Sequence, residues 1–278
     1  SYSVTGVQTC ALPIFVALKS LQPNTVYYYE VIGQDFGVKQ FRTAPNPGQN
    51  ATFTYVVWAD PRTNNWFGDA INGPNLPSYM INDLKKSGTE PAFSIVCGDV
   101  ADNGEAFDIW KLFLEDITTD DFASNAFNID AMGNHEHHGD PQLHNFRDYY
   151  PYEQGNFSFV YGQLYVLVLD TFDYENGEWV GVNFPQAQFE WAKADLAAHS
   201  HIPFKVIAMH QSPIYHGNFV TGGHHGNIST ELLYLCRTYG VDALFCGHSH
   251  HYEVSYLDGT HFIMAGIGGN KKDRKSVV

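Results

Sequence analysis

Five apolar segments of the chain end in residues that can bind a metal ion or carry a proton. The segments are VVWADPR, SIVCGDVAD, IDAMGNHE, VIAMHQS and LFCGHSH, and the residues of interest are Asp60, Asp99, Asn134, His135, His210, His248 and His250. Carboxylates, an amide oxygen and imidazoles without a thiolate suit iron, manganese, zinc or magnesium better than copper(I) or an iron–sulfur cluster. One such segment is typical of an ordinary surface loop. Five of them predict a metal centre.

The same five segments have the composition of β-strands, and helical stretches alternate with them, which is typical of an α/β fold. Ligands of an open α/β sheet bind at the carboxyl ends of its strands, so residues far apart in sequence can converge there. Further strands are predicted at 163–170, 251–257 and 260–266, and helices at 77–86, 105–116, 185–198 and 230–239. Because a carboxylate can bridge two ions, a pair about 3.5–4 Å apart is possible, and such a pair activates water and clamps a phosphoryl group.

The composition argues against several classes of partner. The chain has 278 residues, 44% of them hydrophobic, which is enough for one large domain with a small appendage. Its formal charge of -15 repels nucleic acids and anionic lipid, and no apolar run approaches the roughly 18 residues of a membrane span. An acidic protein that acts on a phosphate ester needs local positive charge, which metal ions would supply. No CxxC motif occurs, and we expect Cys97 and Cys246 to pack in the core.

The two ends of the chain differ from the rest. Residues 1–15 and 271–278 have no periodicity that fits their neighbours and resemble translated adapter sequence, so we predict that they are non-native and that the fragment is truncated on both sides. Residues 16–45 are predicted to contain two strands, 26–32 and 38–43, on either side of a Gly-containing turn. Because two strands alone are marginally stable, we interpret them as part of a β-domain. The segment APNPGQN is typical of a linker to a larger domain.

The polar blocks also follow a specific order, with DPR at Asp60, GDVAD at Asp99, GNHE at Asn134, AMH at His210 and GHSH at His248. This ordered set resembles the five blocks of the calcineurin-like metallophosphoesterases, whereas any single block would be weak evidence. GNHE and the preceding strands most resemble the purple acid phosphatase branch. The resemblance covers about residues 25–269. It implies a four-layer α/β/β/α metallophosphoesterase sandwich at 46–270, preceded by a partial β-sandwich of the fibronectin type III kind, in which Tyr27 or Tyr29 would form a tyrosine corner.

The resemblance also implies a role for each polar residue at a centre of two divalent or trivalent ions, which would be iron, manganese or zinc. The implied ligands are Asp60 and His250 for the first ion, Asn134, His210 and His248 for the second, and Asp99 as the bridge. His135 would contact the phosphate and protonate the leaving group. Glu136 would support the site or accept a hydrogen bond from a neighbouring imidazole. We expect His137 and His138 to lie in a solvated loop.

Two positions depart from the family pattern. Many relatives have a His two residues after the first Asp, where this chain has Arg62, and purple acid phosphatases have a Tyr where this chain has Asp102. The first metal site is therefore short of ligands, and the tyrosine-dependent colour of the family is not expected. Arg62 would either hold a phosphate oxygen or pair with Asp102 or another acid. His216, in a stretch rich in Gly, Asn and His, would either contact substrate or lie on the surface.

Together these expectations predict a metal-dependent phosphoesterase, with a phosphomonoesterase of the acid phosphatase kind as the first candidate. A metal-bound hydroxide at a dinuclear centre would attack phosphorus while His135 assists departure of the alcohol. A phosphodiesterase or nucleotide hydrolase on the same site is the nearest alternative, and a catalytically weak module that binds a phosphorylated or carbohydrate partner is an alternative of another class. The expected partner is a small phosphorylated substrate. A secreted or periplasmic location is expected, and the sequence indicates no oligomeric state.

Overall fold

The structure is a computed structural model that describes residues 16–61, 76–118, 121–150, 155–175, 178–182, 184–213 and 228–266. The predicted substrate contacts Arg62 and His216 lie outside the described residues, as do the two predicted non-native ends. Among the residues that are described, no helix is both long enough and apolar enough to cross a membrane.

An antiparallel hairpin of β1 (Val26–Tyr29) and β2 (Lys39–Arg42) precedes the larger domain. Both strands are shorter than predicted, and the apolar side chain of Ile32, expected to lie in the first strand, is 73% exposed beyond its end. The Tyr27 hydroxyl accepts a hydrogen bond of 2.8 Å from the backbone N–H of Gln22. A tyrosine corner makes this kind of contact, although the assignment of the hairpin to a fibronectin type III-like domain stays a prediction.

Side-chain contacts dock this hairpin against the larger domain. The Tyr29 hydroxyl donates a hydrogen bond of 2.9 Å to the carbonyl oxygen of Ser124, and Lys39 forms an ion pair with Asp121 at 2.5 Å. Both partners lie at the short helix that precedes the third strand of the first sheet described below. The hairpin is therefore fixed at the end of that sheet where its strands begin.

A three-stranded parallel sheet follows, in the order β3 (Tyr55–Trp58), β4 (Phe93–Val96) and β5 (Phe127–Asp130). The helices between and after these strands are α1 (Leu76–Ser87), α2 (Phe107–Ile117), α3 (Phe122–Asn125), α4 (Asn134–His137) and α5 (His144–Tyr149). Successive residues of a strand point to opposite faces. Phe93 and Ile95 therefore face the second sheet, while Val96 and its neighbour Trp58 face the helices.

The second sheet has six strands and carries the later polar blocks. Its strands are β6 (Phe157–Tyr161), β7 (Leu164–Val168), β10 (Phe204–Ala208), β11 (Ala243–Cys246), β12 (Tyr252–Leu257) and β13 (Thr260–Ala265), in the order β12-β13-β11-β10-β7-β6. The four inner strands are parallel and the two edge strands antiparallel to their neighbours. The remaining elements of the described residues are a hairpin of β8 (Phe172–Glu175) and β9 (Glu178–Val182) and the helices α6 (Gln186–Ala198) and α7 (Ile228–Tyr239).

In the described part of the chain, three hydrophobic clusters fill the spaces between four layers of helices and sheets. One cluster lies between the three-stranded sheet and α2 with α5, a second lies between the two sheets, and a third lies between the six-stranded sheet and α6 with α7. The arrangement is the predicted α/β/β/α sandwich, so the fold prediction is confirmed. Parallel strands are buried on both faces in such folds, and β4 and β7 are accordingly buried along their whole length.

The four predicted helices all form, with boundaries that differ from those predicted by no more than two residues. The sequence reading missed β6, which pairs with β7 across a two-residue turn at Gly162 and Gln163. Gly162 has φ 58°, a left-handed conformation that hairpin turns require. The stretch FSFVY before this turn, rich in aromatic and β-branched residues, was the signal that would have identified the strand.

Candidate metal centre

The predicted ligands lie at the carboxyl ends of strands in both sheets. The three-stranded sheet supplies Asp60, Asp99 and Asn134, and the six-stranded sheet supplies His210, His248 and His250. The strand pattern alone suggested a single open sheet edge. The structure instead places the candidate centre where the carboxyl ends of two facing sheets meet.

Four of these residues have a left-handed backbone, with φ of 55° at Asp60, 57° at Asp99, 70° at His248 and 48° at His250. Residues other than glycine adopt this region rarely, although Asn, Asp and His do so more often than most. Each such residue costs about 1–3 kcal/mol, and residues of this kind gather at functional sites where the surroundings fix them. The turns after these strands therefore depend on other interactions for their conformation.

Glycines precede the ligands because the backbone approaches a ligand side chain closely at each block. A Cβ atom on Gly98 would lie 2.6 Å from Nδ1 of His210, and one on Gly247 would lie 2.5 Å from Oδ2 of Asp60. A Cβ atom on Gly133 would collide with the Asp99 carboxylate. The glycines of the GD, GN and GH blocks thus make room for the polar cluster.

Two groups of three side chains each bring their ligand atoms within 4.8 Å of one another. One group is Asp99, His210 and His248, and the other is Asp60, Asp99 and His250. Asn134 Oδ1 lies 3.0 Å from His248 Nδ1, which places it beside the first group. The structure thus brings together all six predicted ligands in the two predicted sets, with Asp99 shared between them.

The electrostatics of this cluster favour a cation. Asp60, Asp99 and His210 are fully buried. Burial by itself lowers the pKa of His210, but the carboxylates of Asp99 and Asp60 raise it to about 9, whereas burial and the neighbouring His210 lower the pKa of His248 to about 4. The negative potential that holds a proton on His210 would also attract a metal ion. Carboxylate, amide and imidazole donors without a thiolate fit iron, manganese or zinc.

The hydrogen bonds of His210 orient its imidazole for binding a metal ion. Its Nδ1 donates to the carbonyl oxygen of Cys97 at 2.6 Å, which leaves Nε2 facing Asp99 Oδ1 at 3.2 Å. A backbone acceptor of this kind fixes the tautomer and ring orientation of a metal-binding histidine. Cys97 and Cys246 are buried within hydrophobic clusters, as expected from their packing interpretation.

His135 lies beside the cluster, and neither ligand group found among the described residues includes it. Its Nδ1 donates to the carbonyl oxygen of Asp102 at 2.7 Å, and the Asp102 carboxylate lies 3.7 Å from the same nitrogen. Nε2 lies 3.8 Å from Asp99 Oδ2. The imidazole therefore presents Nε2 to the carboxylate that both groups share, and Asp102 is placed to support His135.

Comparison with known proteins identifies the family of the chain. The model of the calcineurin-like phosphoesterase family matches residues 62–252. The chain belongs to this family. Its candidate metal centre is built from the blocks by which the sequence resembled calcineurin-like enzymes, and that resemblance is confirmed.

Individual relatives of this calcineurin-like chain include purple acid phosphatases. Probable purple acid phosphatase 20 of Arabidopsis thaliana is 27% identical over 289 residues, which cover 92% of this chain and 60% of the relative. An uncharacterized protein of Mycobacterium tuberculosis is 27% identical over 266 residues, which cover 86% of this chain and 50% of the relative. The chain spans 50–60% of the length of these two relatives.

A solved structure shows the same fold. Purple acid phosphatase PPD1 from seeds of yellow lupin (Lupinus luteus) superposes with a TM-score of 0.67 at 21% sequence identity, covering 91% of this chain and 52% of the phosphatase chain. At this identity the likeness concerns the fold, which is the metallophosphoesterase sandwich expected from the sequence.

Glu136 supports this calcineurin-like site through hydrogen bonds from the backbone, and support of the site was one of the two roles predicted for it. Its Oε2 accepts hydrogen bonds from the N–H groups of Asp99 at 2.8 Å and Gly133 at 2.7 Å. Its Oε1 accepts from Val100 at 2.8 Å and Ala101 at 3.2 Å. The acceptor role was predicted, but the imidazole partner was wrong, because all four donors are backbone groups. The side chain joins the turn after β4 to the turn after β5.

The predictions for the two histidines after Glu136 have different outcomes. His138 is exposed, as expected for a solvated loop. His137 is 5% exposed and its ring contacts Phe172, so the prediction of a solvated position is wrong. The helix α4 turns the chain after Asn134, and this turn directs His137 into the protein.

We predict that Glu136→Gln lowers the free energy of unfolding by about 1–3 kcal/mol. The new –NH2 group would replace one carboxylate oxygen and leave two of the four backbone N–H donors without an acceptor. Urea denaturation followed by circular dichroism measures the change. Glu105→Gln is the matched control, since Glu105 is exposed in the neighbouring turn. Equal stability of the two variants would contradict the assigned role of Glu136.

Proposed function

We propose that this protein is a metal-dependent phosphomonoesterase that acts through a dinuclear centre. The observation that carries the proposal is the sharing of Asp99 by two groups of ligand atoms, with His135 directed at the same carboxylate. When bound, two ions supply an activated water and a positive clamp for the phosphoryl oxygens. Asp60 and His250 would hold one ion, and the second would be held by Asn134, His210 and His248.

His135 is proposed as the general acid. The hydrogen bond from Nδ1 to the carbonyl oxygen of Asp102 requires a proton on Nδ1, because a carbonyl can only accept. The proton to be transferred is then the one on Nε2, which lies 3.8 Å from the shared carboxylate of Asp99. Transfer of this proton to the departing oxygen leaves a neutral imidazole that keeps its hydrogen bond to Asp102. Asp102, in turn, holds the ring in place.

The preference for monoesters rests on the similarity to purple acid phosphatases. The proposed partner is a small phosphorylated substrate, and the charge of -15 disfavours nucleic acid as the main partner. Arg62 and His216 are retained as proposed substrate contacts, and a secreted or periplasmic location as part of the same proposal. A catalytically weak binding module is the second candidate, and it is favoured by Asp102 in place of a tyrosine ligand.

The decisive experiment measures turnover of p-nitrophenyl phosphate and bis(p-nitrophenyl) phosphate by protein loaded with manganese, zinc or iron. We expect hydrolysis of both, with kcat/KM at least about tenfold higher for the monoester, a difference of about 1.4 kcal/mol in transition-state stabilisation. A preference for the diester would replace the proposal with the phosphodiesterase alternative. A folded, metal-loaded protein without turnover would support the binding module instead.

The general-acid role predicts a dependence on the leaving group. In His135→Asn, kcat for an alkyl phosphate falls by about 10²–10⁴-fold, because the alkoxide cannot leave without a proton. The loss for p-nitrophenyl phosphate is much smaller, since nitrophenolate leaves unprotonated. Steady-state kinetics on both substrates test this, with His201→Asn as a control on an exposed histidine. Equal losses for the two substrates would exclude proton donation by His135.

The dinuclear arrangement predicts the stoichiometry of metal binding. Titration calorimetry with Mn²⁺ on chelator-treated protein should give two ions per chain for the wild type, and no more than one for Asp99→Asn, because both groups use Asp99. Asp108→Asn, at an exposed position in α2, should bind two ions. A wild-type protein that binds a single ion would disprove a dinuclear centre.

A further inference from the structure

A buried ion pair that uses no predicted ligand lies next to the candidate metal centre. Nε2 of His137, the last residue of α4, is 3.3 Å from Oδ2 of Asp170, which follows β7. Their side chains are 6% and 15% exposed. Because α4 follows the three-stranded sheet and β7 belongs to the six-stranded sheet, the pair joins the two halves of the site.

Asp170 is fixed on the side of the six-stranded sheet by several other contacts. Its Oδ1 accepts a hydrogen bond of 3.1 Å from the N–H of Phe172, and its own N–H donates to Asn156 Oδ1 at 2.8 Å. The amide of Gln188, on α6, donates to the carbonyl oxygen of Asp170 and to Asn156. A Cβ atom on Gly155 would lie 2.7 Å from the Asp170 carboxylate, so the chain is closely packed there. His137 is therefore held by a rigid acceptor.

The charge state of His137 agrees with an ion pair. Burial lowers the pKa of His137, but the hydrogen bond and negative charge of Asp170 outweigh burial and raise the pKa above its usual value. The Phe172 ring packs against both the His137 and the His210 imidazoles, with its centroid 6.2 Å from that of His137 and 5.7 Å from that of His210. A substitution of His137 would thus alter the packing of Phe172, and through it the position of the predicted ligand His210.

Among the described residues, hydrogen bonds of the predicted ligands also join the two sheets at this end. The backbone N–H of His248 donates to the Asp60 carboxylate, and His210 donates to Cys97. The direct contact between His248 and Asn134 would give way to a metal ion bound between them. The pair of His137 and Asp170 does not change in this way, since neither residue is a ligand.

We propose that the ion pair between His137 and Asp170 preorganises the metal centre. It holds α4, and with it Asn134 and His135, against the six-stranded sheet before any ion binds. His137 is in this sense a positioning residue. The inference rests on the proposed function, because it concerns affinity for the ions that the function requires. Partners that orient ligands are typically worth about 10–100-fold in metal affinity.

A double-mutant cycle with metal binding as its readout tests the proposal. Mn²⁺ is titrated into chelator-treated wild type, His137→Asn, Asp170→Asn and the double variant, with circular dichroism as the test of folding. We expect each single substitution to lower the Mn²⁺ affinity of the more affected site by at least about tenfold. The Mn²⁺ affinity of the double variant should be at most about twofold below that of the single variant with the lower affinity. At saturating Mn²⁺, kcat should return to within about twofold of wild type, which a general loss of structure would not allow.

His144→Asn is the matched control. It breaks a pair of the same type, His144 with Asp140 at 2.9 Å, but both partners lie in one segment and the His144 side chain is 74% exposed. Its Mn²⁺ affinity should equal that of the wild type. If His137→Asn fails to fold, His137→Gln takes its place in the cycle.

Unchanged affinity in either single variant, or losses that multiply in the double variant, would overturn the proposal while leaving the phosphomonoesterase function intact. A wild type that hydrolyses neither ester and binds no Mn²⁺ would instead overturn the proposed function, and this inference with it.

Discussion

The candidate centre depends on a buried carboxylate that is not itself a predicted ligand. Glu136 is 1% exposed and accepts four backbone hydrogen bonds, three from the turn that carries Asp99 and one from Gly133. Burial and the neighbouring Asp99 carboxylate raise the pKa of Glu136 to about 7, and the N–H donors oppose this shift. Four donors around one carboxylate compensate a burial that would otherwise be costly. These hydrogen bonds also hold the turn after β4, in which Asp99 has a left-handed backbone.

The hydrogen bonds around Glu136 form a closed network between the turns that follow β4 and β5. Glu136 fixes the backbone of Asp99, and Asp99 Oδ1 accepts the N–H of His135 at 3.1 Å. The His135 side chain in turn donates a hydrogen bond to the carbonyl oxygen of Asp102, which lies in the same turn as Asp99. The shared carboxylate and the proposed acid are therefore positioned by one set of contacts. A site of this kind is rigid before substrate binds, which is what electrostatic stabilisation of a transition state requires.

The strand pattern was sufficient to predict an α/β fold, because apolar strands with ligands at their carboxyl ends are local features of the sequence. The four-layer sandwich was predicted only through the resemblance of the ordered polar blocks to the calcineurin-like family. The interactions of Glu136 and His137 were not predictable in the same way. Both residues belong to the polar run NHEHHG, in which burial cannot be distinguished from solvation. Their partners, the N–H of Asp99 and the carboxylate of Asp170, lie 37 and 33 residues away. The strand pattern likewise did not predict the division of the ligands between two sheets, since the sequence of a strand does not specify which strands lie beside it.

The sequence by itself determined which residue types stand at the strand ends, and with them the metal chemistry and the family. It also required the glycines before Asp99, Asn134 and His248. The tertiary structure alone decided that Asp102 supports His135, through the hydrogen bond from His135 Nδ1 to the carbonyl oxygen of Asp102. It also decided that His137 is buried, with its imidazole beside the Asp170 carboxylate. The physical reason is that ligand identity is a property of single side chains, whereas convergence within a few ångströms depends on how two sheets pack.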